Sequence, residues 1–296
     1  MTISYLDSHR ISGLSSDTKP TNVETNSILV DKDTGKRYWY DGSVWTWSND
    51  STRGIFGGRQ DGATHTNIMD YITIATTGNA TDFGDLSVAR SFVAGVSSNT
   101  RGVFGGGSGV SNVIDYITIS TPSNATDFGD LTVARESPAG VSNGTRGVFG
   151  GGNNGGTLYN TMDYITIATI GNATDFGDLT VAREALAGLS NGTRGVFGGG
   201  KAAAKEVTMD YITIATTGNA TDFGDLTVER YRLAGLANET RGVWAGGWSN
   251  SNVRENVMDY ITIATTGNAT DFGDLAVARM WITGIPSLTR GIFGGG

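Results

Sequence analysis

Arg146-Gly-Val-Phe-Gly-Gly-Gly152 decides how the rest of the chain is read, because near-copies begin at Arg53, Arg101, Arg194, Arg241 and Arg290. Successive copies lie 48, 45, 48, 47 and 49 residues apart. A period of that size with paired glycines marks one supersecondary unit used many times, as in solenoids and propellers. Function is then to be sought where the copies differ.

Residues 139 to 183 hold one complete unit around that stretch. Ala139-Gly-Val-Ser142 has the small and β-branched residues of a short, crowded strand, and Asn143-Gly-Thr145 turns the chain into a second strand from Arg146 to Gly150. After a loop of changing sequence, Met162-Asp-Tyr-Ile-Thr-Ile-Ala-Thr169 predicts a third strand. Gly171-Asn172 then turns the chain into a fourth, outer strand at Ala173-Thr-Asp-Phe-Gly-Asp-Leu179. No unit has a stretch of helical periodicity, which excludes a helical or mixed repeat. Four strands per period predict an all-β propeller blade.

The wording of the unit also carries a resemblance. Val181-Ala-Arg183, Ala187-Gly188 and Arg194-Gly-Val-Phe-Gly-Gly-Gly200, with Asp210-Tyr211 downstream, resemble the kelch repeat: an Arg, a small-residue strand, then an apolar strand ending in paired glycines. Phe223 stands where that repeat carries Trp. The resemblance covers about residues 44 to 296 and implies a kelch-like β-propeller of four-stranded blades. It implies no single function, because such propellers serve unrelated roles.

Blade count follows from the strand pairs. Six copies of the small strand plus Arg-Gly-Val-Phe strand occur, against five of the Asp-Tyr-Ile-Thr plus Asp-Phe-Gly-Asp pair, so one blade lacks its outer half. Ile28 to Tyr40 reads as a β-hairpin about Asp33-Thr-Gly35, with a second turn at Asp41-Gly42. An open ring leaves unpaired edges, so the hairpin in residues 25–43 is expected to complete the blade begun by residues 280–296 and close six blades. Five blades with that hairpin displaced is the other count. Residues 1–24 read as an arm, either loosely ordered or docked onto a neighbour.

Composition narrows the chemistry. At 296 residues the repeat favours one large cyclic domain, and 45 glycines against 4 prolines fit many short strands joined by tight turns. A net charge of −8 argues against nucleic-acid or anionic-lipid partners held by net attraction, and no run approaches a membrane span or a signal peptide. Without cysteine there is neither disulfide nor thiolate metal site. The two histidines, His9 and His65, are too few for a triad, a zincin or a copper centre. Asp-Phe-Gly occurs five times without other kinase elements, Gly150-Gly-Gly-Asn-Asn-Gly155 opens a loop instead of a helix, and no carboxylate pair stands apart from the repeat. The chain therefore reads as non-enzymatic, with no catalytic residue, no metal and no cofactor.

Repeated residues have structural readings first. Phe149, Phe176 and Tyr164 are expected between neighbouring blades. Asn172, Asp175 and Asp178 are read as turn and hydrogen-bond residues ahead of calcium ligands. Arg90, Arg135, Arg183, Arg230 and Arg279 form a ring by symmetry, expected to pair with repeated Asp residues ahead of forming an anion funnel.

Divergence concentrates in two loop classes that a four-stranded up-and-down blade places on one face. The first is the loop after each Gly-Gly, as in Lys201 to Val207 and Trp248 to Asn256; the second is the crossover between blades, as in Ser91-Phe92-Val93, Tyr231-Arg-Leu233 and Met280-Trp-Ile282. A repeated scaffold with one varied face suits a loop-presented binding surface. Its anchors are read as Phe92, Tyr159, Tyr231, Arg232, Trp248, Arg254 and Trp281, aromatic and Arg side chains expected to stand exposed.

A second resemblance bears on role. Met1 to Trp47, with Asp7-Ser-His-Arg-Ile-Ser-Gly-Leu-Ser15, Asp17-Thr-Lys-Pro-Thr21 and Asp33-Thr-Gly-Lys-Arg-Tyr-Trp-Tyr-Asp-Gly-Ser-Val-Trp45, resembles the start of virion structural proteins of tailed phages and related marine viruses, as do tandem FGGG and DYITI units. The resemblance implies a tail, fibre or particle-surface component located on the virion. Expected partners are other virion proteins and a host-surface glycan or protein, with self-association open. A purely architectural decoration protein is the alternative, and a polysaccharide-degrading enzyme comes third.

Overall fold

Short runs rich in Val, Ile, Thr and Tyr, broken by Asn and Gly, keep each segment extended and then reverse it. The structure, a computed structural model, describes residues 53–286 and 291–296 except 75 and 110, and ahead of them the backbone of five short strands. All regular secondary structure among the described residues is β.

The chain divides into two compact units, Met1–Thr52 and Arg53–Gly296. In the first, Ser4–Asp7, Arg10–Gly13, Ile28–Asp31, Arg37–Tyr40 and Trp45–Ser48 form one sheet in chain order. Ile28 opposes Trp39 and Leu29 opposes Tyr38, which is the hairpin expected from sequence. Both its edges are taken within this sheet, one by Arg10–Gly13 running parallel to Ile28–Asp31 and the other by Trp45–Ser48. A strand has two edges, so the hairpin has none left with which to complete a sixth blade. The stretch read as an arm supplies two of the five strands. The turns at Asp33-Thr-Gly35 and Asp41-Gly42, and Arg290 of the last repeat, lie outside the described residues.

In the second unit, small antiparallel sheets stand in a ring as a β-propeller of five blades. Blade 1 has Arg53–Asp61, Thr64–Thr73 and Thr81–Asp85. Blade 2 has Ala94–Ser97, Arg101–Gly105, Val113–Thr118 and Thr126–Asp130. Blade 3 repeats this with Ala139–Ser142, Arg146–Gly150, Thr161–Thr166 and Thr174–Asp178. Blade 4 follows with Ala187–Ser190, Arg194–Gly198, Thr208–Thr213 and Thr221–Asp225, and blade 5 with Ala234–Ala237, Arg241–Ala245, Val257–Thr262 and Thr270–Asp274. Ile282–Pro286 and Gly291–Gly295 then pair with each other alone among the described residues, so the count is five and not six.

In blades 3 and 4, two glycines of the Arg-Gly-Val-Phe-Gly strand are holes for the neighbouring blades. A Cβ on Gly147 would sit 2.5 Å from Val96 Cγ2 of blade 2, and one on Gly150 would sit 3.2 Å from the Phe197 ring of blade 4. The pattern recurs with Val141 at Gly195 and Leu189 at Gly242, and with Phe149 at Gly105 and Trp244 at Gly198. It also joins the ring's ends, for a Cβ on Gly54 of blade 1 would sit 2.5 Å from Ile285 Cδ1 of the terminal pair. The outer strand adds a bulge. Met162 opposes Gly177 and Asp163 opposes Asp175, which leaves Phe176 as the extra residue, 2% exposed. Core clusters accordingly lie between blades: Val141, Val148, Met162 and Phe176 of blade 3 pack with Phe197 and Ile212 of blade 4. Each buried Phe contributes roughly 1.5–3 kcal/mol.

Gly147→Ala is expected to destabilise the ring by about 1–3 kcal/mol in urea unfolding, because Val96 must shift. Gly95→Ala, where a Cβ meets nothing within 4 Å, is the matched control and is expected to leave stability unchanged or slightly raised.

Candidate functional site

Each joint between successive blades from blade 1 to blade 5 carries a buried ion pair. Arg90, Arg135, Arg183 and Arg230 follow the last strand of one blade and reach Asp115, Asp163, Asp210 and Asp259 on the third strand of the next at 2.9, 2.7, 2.9 and 2.7 Å, both side chains wholly buried. Arg135 also donates to Thr161 O at 3.0 Å and Phe149 O at 3.1 Å. A hydroxyl of the preceding blade donates to the other carboxylate oxygen: Ser87 to Asp115, Thr132 to Asp163, Thr180 to Asp210 and Thr227 to Asp259. Burial pulls the four guanidinium groups below their usual range, against the paired Asp, which raises them. Burial likewise pushes the Asp163 carboxyl up, against Arg135 and Thr132, which hold it down. Buried ion pairs of this kind add little net stability, while a lone member is costly, so each pair holds one blade to one position against the next. The ring of arginines is thus an internal ladder and not a funnel. Arg279, its fifth member, is half-buried and among the described residues reaches only Gly295 O, at 3.4 Å.

Beyond each Arg, the two divergent loop classes meet. Ser91 N–H donates to Ser108 Oγ and Ser108 N–H to Ser91 O, Glu136 exchanges main-chain bonds with Asn153 and Glu184 with Lys201, and Tyr231 pairs with Trp248. The residue two beyond each Arg is left-handed: φ is 58° at Phe92, 57° at Ser137, 50° at Ala185, 61° at Arg232 and 57° at Trp281. Main-chain bonds link them in sequence, from Ser137 N–H to Phe92 O at 3.0 Å, Ala185 to Ser137 at 3.0 Å, Arg232 to Ala185 at 2.8 Å and Trp281 to Arg232 at 2.9 Å. None is glycine, and that conformation costs such a residue roughly 1 kcal/mol or more.

The ends of this bonded series meet through their side chains. The Phe92 and Trp281 rings lie 4.5 Å apart, and the Arg232 guanidinium lies 4.3 Å over Trp281 and 4.4 Å over Tyr231. Tyr231 stacks on Trp248 at 6.4 Å, with Lys205 Nζ 5.7 and 5.6 Å from the two rings and Lys201 Nζ 5.9 Å from Tyr231. Lys205 also donates to Ser249 O and, at 3.2 Å, to Asn252 Oδ1. Among the described residues, Arg232, Lys201 and Lys205 enter no ion pair, and Arg232 Nε and Trp248 Nε1 are buried without a hydrogen-bond partner.

Of the seven sequence-predicted anchors, five thus form one cluster: Phe92, Tyr231, Arg232, Trp248 and Trp281. Tyr159 stands apart, half-buried with its N–H on Gly152 O, and Arg254 is exposed with only its main chain bridged to Trp248. Trp281 is 37% exposed, but Tyr231 is only 8% exposed, contrary to expectation, because its ladder with Trp248 and three overlying cations cover it. Lys201 and Lys205 belong to the cluster and were marked in the sequence only by lying in a divergent loop. The left-handed residues had no local signal beyond their constant offset from the Arg.

Elsewhere, Asn172 Oδ1 accepts from Asp130 N–H at 3.1 Å, a bond between blades in keeping with its turn reading. Among the described residues, no group of three or more His, Asp or Glu side chains is placed to hold a metal ion, and no helix is long and apolar enough to cross a membrane. No protein-family model matches the chain, and no curated protein matches it.

Asp163→Ala, which strands a buried guanidinium, is expected to cost about 3–5 kcal/mol in urea unfolding, whereas Arg135→Met with Asp163→Leu is expected to cost less. A single variant no worse than the double would show that the pair carries no such constraint.

Proposed function

We propose that this chain is a non-catalytic virion component whose divergent loop face binds a host-surface glycan or protein. The observation that supports it most is the bonded series Phe92, Ser137, Ala185, Arg232 and Trp281, where one strained backbone position recurs with five different side chains. Strain kept at positions whose side chains vary is what a display site needs, since packing alone would favour glycine there. Trp281 and Arg232 are the anchors: Trp281 is exposed, Arg232 is half-buried over it and over Tyr231, and among the described residues Arg232, Lys201 and Lys205 enter no ion pair. The virion assignment rests on the resemblance of residues 1 to 47 and of the repeat wording to tailed-phage and marine-virus structural proteins.

Binding of the purified protein to host-type cells and a broad glycan panel tests this reading. Trp281→Ala and Arg232→Ala are each expected to weaken saturable binding roughly thirty-fold in a folded protein, while Tyr159→Ala and Arg254→Ala leave it nearly unchanged. Binding that survives the first two changes, or no binding at all, would favour the architectural reading, in which this face meets only neighbouring virion proteins.

A further inference from the structure

The forward face of blade 5 differs from that of every earlier blade. At each earlier joint the next blade's Asn-Ala turn is pinned to the outer strand: Asp85 N–H donates to Asn124 Oδ1 at 3.1 Å, and Ala125 N–H to Asp85 O at 2.7 Å. The same two bonds join Asp130 to Asn172 and Ala173, Asp178 to Asn219 and Ala220, and Asp225 to Asn268 and Ala269. Among the described residues Asp274, their counterpart, has neither. Phe83, Phe128, Phe176 and Phe223 are at most 2% exposed, whereas Phe272 is 47% exposed. A Cβ on Gly84, Gly129, Gly177 or Gly224 would come within 2.6 Å of the next blade's turn; on Gly273 it would meet nothing.

The charged groups repeat the pattern. Arg53, Arg101, Arg146 and Arg194 donate to the carbonyls of Ile119, Ile167, Ile214 and Ile263 one blade on, at 2.8 to 3.1 Å. Arg241 is exposed and has no such acceptor among the described residues. Among the described residues Arg279 lacks the Asp that its four counterparts hold. Gly291–Gly295 bonds to Ile282–Pro286 on one edge; the other edge, which an Asp-Tyr-Ile-Thr strand covers in every blade, is open among the described residues.

The geometry points to a docking seat for one β-hairpin of the chain's own repeat type, Asp-Tyr-Ile-Thr followed by Asn-Ala-Thr-Asp-Phe-Gly-Asp, carried by another polypeptide. The first strand of that hairpin adds to the Gly291–Gly295 edge, the β-augmentation mode of recognition. Its Asp meets Arg279, a carbonyl at the end of its first strand accepts from Arg241, its Asn-Ala turn bonds Asp274, and its apolar side covers Phe272. The occupant is named by the partners the seat lacks, a negative charge for Arg279 above all.

The test is titration of the full chain with a synthetic peptide of residues 256–275, followed by calorimetry. One peptide per chain is expected to bind. Asp259→Asn in the peptide, or Arg279→Ala in the chain, is expected to weaken it roughly thirty-fold. Phe272→Ser, at an exposed position, supplies a second variant that is not expected to disturb folding and weakens binding as well, while Trp281→Ala leaves it unchanged. Absence of binding at millimolar peptide would overturn the proposal, as would binding indifferent to Asp259→Asn and Arg279→Ala. Self-association of the chain through this face that the peptide cannot displace would also overturn it, in favour of a second copy as occupant.

Discussion

Close approach of one blade's apolar side chain to its neighbour's glycine sets the spacing of the ring. Val96 against Gly147 and Phe197 against Gly150 leave little or no room for a β-carbon, so the second strand of blade 3, and likewise of blade 4, is gripped from both sides. The bulge at Gly177 then turns Phe176 into the same seam, and the clusters of buried residues follow the seams instead of lying within single sheets. A blade therefore has little core of its own. Its stability comes from its neighbours, as expected for repeats that cannot bury their faces alone.

Superimposed on that packing is a division between what is repeated and what is free to vary. The buried Arg–Asp pairs fall on the repeated side: desolvation removes much of their net benefit, but a lone member is costly, so each blade is held to one position relative to the next. Two residues further on, the chain enters the left-handed conformation at Phe92 and its counterparts, where the main chain is bonded from blade to blade and the side chain differs at every copy. Order is supplied by backbone and ion pair, and chemistry is left to the side chain.

Local pattern was legible in the sequence where local pattern decided the outcome. Alternation in Met162-Asp-Tyr-Ile-Thr, the Asn143-Gly-Thr turn and the recurrent Arg located the four strands and the ladder of ion pairs. The partners of Ile28–Asp31 were not legible, because its parallel pairing with Arg10–Gly13 is made across a long connection that no short motif encodes. The burial of Tyr231 was hidden for a similar reason, since its cover comes from Lys201, Lys205 and Arg232, which share no motif with it. Positive φ at Phe92, Ala185 or Trp281 contradicts the preferences of those residues and coincides with main-chain bonds made between blades, which no local motif encodes.

Because the joints are built alike, most blades carry little mark of their place in the series. Loss or duplication of one inner repeat in the gene would leave the remaining buried guanidinium groups of this ladder matched to carboxylates. The same interchangeability acts during folding, when a blade can dock on a non-adjacent sibling through contacts as good as the correct ones. Only loop length and ring curvature then penalise the skipped register. Divergence in Trp244, which replaces Phe at one joint, gives that seam an identity that the others lack.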